Sequence, residues 1–104
     1  MNCVNKYKNR KTKVDNIVFA SAKESRRYLE LKLLQKAGEI SDLRLQTRLP
    51  IVVNGKKVCD YLCDFSYMEN GKFVFEDVKG VRTALYQLKK KLVKAVHNID
   101  LLET

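Results

Sequence analysis

The sequence predicts an α/β fold, a mixed sheet flanked by helices in the order α-β-β-β-α-β. Three observations carry that reading: a capped helical stretch from Ser21 to Gly38, two Asn-Gly turns joining alternating strands, and a leucine-striped segment over 82–97. At 104 residues the chain has room for one domain. We divide it into a flexible basic arm over 1–13 and a single folded domain over 14–104.

The arm reads M-N-C-V-N-K-Y-K-N-R-K-T-K, with Lys6, Lys8, Arg10, Lys11 and Lys13 and no acidic residue. Such a run is a solvated tail or a phosphate-gripping arm. Val14 to Phe19 leans apolar and reads as one short edge strand. Ser21 and Glu24 have the S-x-x-E spacing of a capping box, and Gly38 supplies the stop, so a helix runs through Tyr28, Leu31, Leu33 and Leu34. Leu43, Leu45, Thr47 and Leu49 alternate with polar residues, the period of a half-buried strand, which Pro50 is expected to interrupt. Asn54-Gly55 turns Ile51-Val52-Val53 into a strand over about 57–68, and Asn70-Gly71 turns that into the next, over 72–79. Gly80 breaks the pattern. Residues 82–97 form the second helix, with Leu85, Leu88, Leu92 and Val96 expected on its buried stripe. Ile99 to Leu102 supplies a last short strand.

Twenty-one Lys and Arg against twelve Asp and Glu leave a net charge of +9. A small domain this basic meets a polyanion, and nucleic acid is the expected one. No apolar run approaches the roughly 20 residues of a membrane span, and no apolar segment follows the basic N-terminus as in a secretory signal. No membrane partner is therefore expected. Cys3, Cys59 and Cys63 make an odd count with no disulfide framework, and with His97 as the one histidine and no further Cys a zinc site is hard to assemble. Free thiols in a reducing cytoplasm are the expectation.

Charged residues inside apolar strands need a reason, because burying them unpaired costs several kcal/mol. Asp64 lies in C-D-Y-L-C-D-F-S-Y; Asp77 and Lys79 lie in F-V-F-E-D-V-K-G. Strand alternation puts Asp77 and Lys79 on one face and Glu76 on the other with Val74 and Val78. The Asn70-Gly71 turn folds Asp64 back toward them. Two carboxylates can hold Mg²⁺ (or Mn²⁺) with hard oxygens, with the Val78 carbonyl as a further ligand, and a lysine can orient water or stabilise phosphorane charge. Glu24 shares a helical stripe with Tyr28 and Leu31 that turns it toward the sheet, although it can also simply cap its own helix. Asp64 can equally end a strand, and Asp77 with Lys79 can be a surface salt bridge.

Asp64 followed by Asp77-Val78-Lys79 on the next strand resembles the D…(D/E)-x-K signature of the PD-(D/E)xK nuclease superfamily. The strings S-A-K-E-S-R-R-Y, K-A-G-E-I and E-D-V-K-G-V look closest to a family of small phage proteins placed in it, and the resemblance covers residues 5–104. Cys63 stands where many members have proline. The resemblance implies a restriction-endonuclease-like sheet and a Mg²⁺-dependent DNA endonuclease, with Glu24 supplying the acidic residue that members often carry on the helix before the sheet. In that reading Glu24, Asp64 and Asp77 bind metal and Lys79 assists the attacking water. Lys6, Lys8, Arg10, Lys11, Lys13, Arg26, Arg27, Lys89, Lys90 and Lys94 would contact backbone phosphates.

The expected enzyme is structure-selective on branched DNA, like a phage Holliday junction resolvase, because so short a chain leaves no room for a separate sequence-reading domain. Paired cuts suit a C2 homodimer. The expected setting is the cytoplasm of a phage's bacterial host, with no small-molecule cofactor. The rivals are a non-catalytic nucleic-acid-binding module and a nickase, repair or RNA-cleaving nuclease of the same fold.

Overall fold

The computed structural model describes residues 11–104. In chain order these form β1 (Thr12–Val14), β2 (Ile17–Phe19), α1 (Ala22–Lys36), β3 (Ser41–Val53), β4 (Lys56–Glu69), β5 (Lys72–Asp77), α2 (Ala84–His97) and β6 (Leu102–Glu103). The fold is mixed α/β, and the expected α-β-β-β-α-β succession is present as α1-β3-β4-β5-α2-β6. The main sheet has the order β3-β4-β5-β6, antiparallel except for the β5–β6 pair. That pair is parallel because α2 serves as the crossover between its strands. No helix among the described residues is long and apolar enough to cross a membrane.

Three two-residue turns share one chemistry. Asp15-Asn16, Asn54-Gly55 and Asn70-Gly71 have positive φ at both positions, the type I′ geometry that suits the twist of a hairpin. The first corrects the reading of 14–19 as a single edge strand, since Asp and Asn tolerate left-handed backbone well enough to make a β1–β2 hairpin there. Thr12 and Lys13, assigned to the arm, are part of β1. Lys6, Lys8 and Arg10 lie outside the described residues, and Lys11 and Lys13 are exposed.

Pro50 does not interrupt its strand. β3 runs unbroken from Ser41 to Val53, with Pro50 opposite Asp60. β3 is an edge strand, and there a missing N–H can be turned away from the ladder. α1 matches its reading more closely: the Ser21 hydroxyl accepts the Glu24 N–H at 3.1 Å, and Gly38 sits past the last turn at φ +84.

Two cores hold the layers together. Phe19, Tyr28, Leu31, Ile40, Phe65 and Tyr67 form one under α1; Leu49, Ile51, Tyr61, Cys63, Tyr86, Val93 and Leu101 form the other under α2. Tyr61 and Cys63 therefore serve one core while Phe65 and Tyr67, on the same strand, serve the other. Strict alternation would keep all four together, so it is broken between Cys63 and Phe65. The break lies at Asp64, beside Gln46 of the facing strand, whose φ is +51. Cys59 and Cys63 are free thiols of the α2-side core.

The buried stripe of α2 differs from expectation. Tyr86 and Val93 are buried, whereas Leu85 is 60% and Leu88 54% exposed, Val96 is exposed and only Leu92 packs partly on the core. The two stripes lie one residue, or about 100°, apart on the helix. Tyr86 decides between them. Its hydroxyl donates to Glu103 Oε2 at 2.7 Å and its ring carries the Lys79 ammonium, 4.3 Å from the centroid. Half-buried Lys89 and Lys90 complete that face with their aliphatic stems. On α1, Leu33 likewise points outward.

Candidate active site

Strand pairing brings the two strand aspartates together. Phe65 pairs with Glu76, so Asp64 and Asp77 stand directly across β4 and β5. Asp77 Oδ1 accepts the Asp64 N–H at 3.0 Å, and Asp64 Oδ2 accepts the Val78 N–H at 3.0 Å. The Tyr61 hydroxyl donates to Asp77 Oδ2. Asp77 is thus wholly buried, with both oxygens engaged.

Glu24 reaches the same place from the first turn of α1. Glu24, Asp64, Val78 and Lys79 line one cleft of about 320 Å³, together with Lys23, Gly80 and Thr83. β5 ends at Asp77, so Lys79 follows the strand rather than belonging to it. It is held by its N–H, which donates to the Thr104 carbonyl at 3.2 Å, and by the Tyr86 ring beneath its ammonium. The four residues singled out from the sequence, carried on α1, β4, the end of β5 and the segment just after it, therefore converge.

Glu76 points the other way, as alternation requires. It is wholly buried, accepts Arg27 Nε at 2.5 Å and Nη2 at 3.0 Å, and also accepts the hydroxyls of Tyr67 at 2.7 Å and Thr104 at 3.0 Å. Burial pushes its carboxyl up, but the bonds from Arg27 and Tyr67 outweigh burial and hold it below the ordinary value. Arg27 is correspondingly committed to Glu76 and Glu30, which corrects its assignment as a free phosphate contact. The pair also ties α1 to β5 one turn beyond Glu24.

The cleft's carboxylates repel one another. Burial, then the charges of Asp64 and Asp77, raise Glu24 to about 7 against the opposing pull of Lys79 and the Ala20 N–H. Burial also raises Asp64, with the Asp77 charge adding and the Val78 N–H opposing. A carboxyl raised in the folded state stabilises the fold below its unfolded value, and that contribution is lost as pH rises through the folded value. For Glu24 the window runs from 4.5 to about 7. In EDTA, melting temperature should therefore fall across this window, and Glu24→Gln should flatten the fall. Identical pH slopes for the two proteins would show that Glu24 is not held this way.

Among the described residues no group of three His, Cys, Asp or Glu side chains is gathered as a ready metal site. In donor chemistry the cleft suits a hard cation, offering carboxylates without thiol or imidazole. A cation there would also relieve the repulsion that raises Glu24 and Asp64.

Sequence reasoning missed Tyr61, Tyr86, Gln46 and Lys23. The tyrosines left a signal, because a buried phenol needs a polar partner. Tyr28, Tyr61, Tyr67 and Tyr86 donate to Asp15, Asp77, Glu76 and Glu103 respectively. Gln46 and Lys23 left none, since both matter through a backbone irregularity and a crevice that periodicity does not encode. Of the expected α2 cations, Lys90 pairs with Glu103 and Lys94 with Asp100; such exposed pairs are worth little and exchange readily for phosphate. Arg26 is exposed, and His97 bonds the Pro50 carbonyl at 2.6 Å.

Residues 4–102 match the protein family described as "Protein of unknown function (DUF1064)". No curated protein matches the chain.

Proposed function

The chain belongs to this DUF1064 family, and we propose, on the site alone, that it is a metal-dependent DNA endonuclease. The observation that carries the proposal is the convergence of Glu24, Asp64 and Lys79 on one cleft, with Asp77 buried behind Asp64, in a chain of net charge +9. A protein that only bound nucleic acid would gain nothing by setting mutually repelling carboxylates where phosphates must approach.

Glu24, Asp64 and Asp77, with the Val78 carbonyl, would hold one or two Mg²⁺ or Mn²⁺ ions. Bound there, the metal supplies Lewis-acid polarisation of a phosphate oxygen and a more acidic water. The protein's own part is positional. Tyr61 and the Asp64 N–H fix the Asp77 carboxylate, and the Val78 N–H fixes that of Asp64. Tyr86 holds the Lys79 ammonium at the cleft, where its charge can meet negative charge developing on the phosphoryl group. The +9 charge attracts backbone of any sequence, which suits a structure-selective enzyme acting on branched DNA as a homodimer in the cytoplasm of a phage-infected bacterium.

The full engagement of Asp77, wholly buried with both oxygens bonded, favours a second reading in which the acidic pair is structural and the chain is a binding module. One assay separates the two. Linear, nicked, flap and four-way DNA are incubated with and without Mg²⁺. The expected result is Mg²⁺-dependent cutting with preference for the four-way substrate. Binding without cutting of any DNA or RNA supports the module.

A further inference from the structure

A second cleft opens on the other side of Val78. It has a volume of about 340 Å³ and is lined by Lys23, Arg26, Arg27, Glu30, Val78 and Thr104. Lys23 and Val78 also line the carboxylate cleft, so the two share a wall. The second cleft holds no aspartate, and its charges divide cleanly. The Arg27 guanidinium is spent on Glu76 and on Glu30 at the rim. Arg26 is exposed and has no hydrogen-bond or ion-pair partner among the described residues. Lys23 gives one bond to the Lys79 carbonyl at 3.2 Å, which leaves two of its three N–H donors unassigned.

We propose that this cleft is a phosphate subsite, in which Lys23 and Arg26 together grip one backbone phosphate of a nucleic-acid strand whose neighbouring phosphate lies over Asp64. The assignment rests on the endonuclease reading for what lies over Asp64, but not for the anion itself. The division of labour is physical. The carboxylate cleft is repulsive to phosphate without a cation, so affinity has to be supplied beside it. Arg26 offers a planar fork and Lys23 a point charge, a complementary pair for the two non-bridging oxygens of one phosphodiester monoanion. Arg27, spent on Glu76 and Glu30, braces the wall instead of binding. Lys23, tethered to the Lys79 carbonyl, couples the subsite to the segment that carries Lys79.

The test uses the full chain, a duplex oligonucleotide and EDTA, so that binding is read without cutting. Each neutralised phosphate contributes about 0.9 to the slope of log K against log salt. The double variant should lower that slope by about one, and Lys23→Gln or Arg26→Gln alone by less, because the cation left behind still neutralises the one phosphate that both serve. Lys36→Gln, at the far end of α1, should leave it unchanged. Equal slopes for wild type and double variant overturn the subsite. Losses that add to about two overturn its single phosphate.

A methylphosphonate scan of the strand locates the phosphate, since the neutral position that weakens wild type should not weaken the double variant further. In Mg²⁺ that position should adjoin the bond that is cut. If wild type cuts nothing, the endonuclease reading fails while the slopes still decide the subsite. Inorganic phosphate that occupies the cleft while duplex affinity is untouched by the double variant would reassign it to a small anion and overturn the proposal.

Discussion

Asp77→Asn should abolish cutting while leaving a folded protein that still binds DNA. The structure explains why the fold should survive. Asparagine has the shape of aspartate, and its carbonyl can keep the Asp64 N–H while its amide donates to a reversed Tyr61 hydroxyl. What is lost is a hard anionic oxygen beside Asp64. Single-turnover cleavage in Mg²⁺ should fall at least about a hundredfold, roughly 2.7 kcal/mol of barrier. Binding measured in parallel should be unchanged or tighter, since one negative charge near the phosphate is gone. A variant that folds, binds and cuts within about threefold of wild type, well under 1 kcal/mol, would falsify the endonuclease reading.

The second large effect lies one residue away and is expected in stability. Arg27→Met strands the Glu76 carboxylate in a site with no solvent exposure. Removing one partner of a buried ion pair costs about 3–5 kcal/mol, a large share of a small domain's stability. Its pH dependence follows from Glu76 being held below its ordinary value in the fold. Such a group contributes stability above its unfolded value of 4.5, and the contribution fades as pH falls through the folded value. The deficit of Arg27→Met should therefore be larger at neutral pH than near pH 4, where protonation relieves the stranded carboxylate. Urea denaturation at both pH values measures it. Pairing the change with Glu76→Leu should recover part of the loss. A cost below about 1 kcal/mol at neutral pH would mean the pair is no stronger than a surface salt bridge. Alternation sets Glu76 on the face away from Asp77 and Lys79, so Glu76→Gln should leave cutting within about tenfold; the buried pair makes Glu76 a structural keystone, to be judged first by stability.

Those two neighbours show where the sequence was legible. Alternation separated Glu76 from Asp77 correctly because β5 is short and regular up to the site. The Asn54-Gly55 and Asn70-Gly71 turns, the Ser21 cap and Gly38 were readable because each depends on two to four adjacent residues. Pro50 and α2 were misread because each depends on position in the whole. Proline breaks a central strand but not an edge one, and only the finished sheet shows which β3 is. On α2 the more apolar stripe lost to one led by Tyr86, whose tie to Glu103 and contact with Lys79 come from distant chain. The meeting of Glu24 with Asp64 was expected from its stripe, but the charge coupling that raises it depends on how closely α1 packs.

The proline in β3 has one further effect. A strand of thirteen residues at the margin of a sheet, with exposed Val52 and Val53 near its tip, is the kind of edge on which a second chain can polymerise. Pro50 withholds a donor within it, Asp42 and Gln46 bend it through left-handed backbone, and Arg48 adds a charge. An incoming strand would find no long uninterrupted row of hydrogen-bonding groups to copy. Copies of this chain that meet along β3 must therefore do so through side chains rather than by extending the sheet, and the same interruptions guard this long edge against amyloid-like stacking.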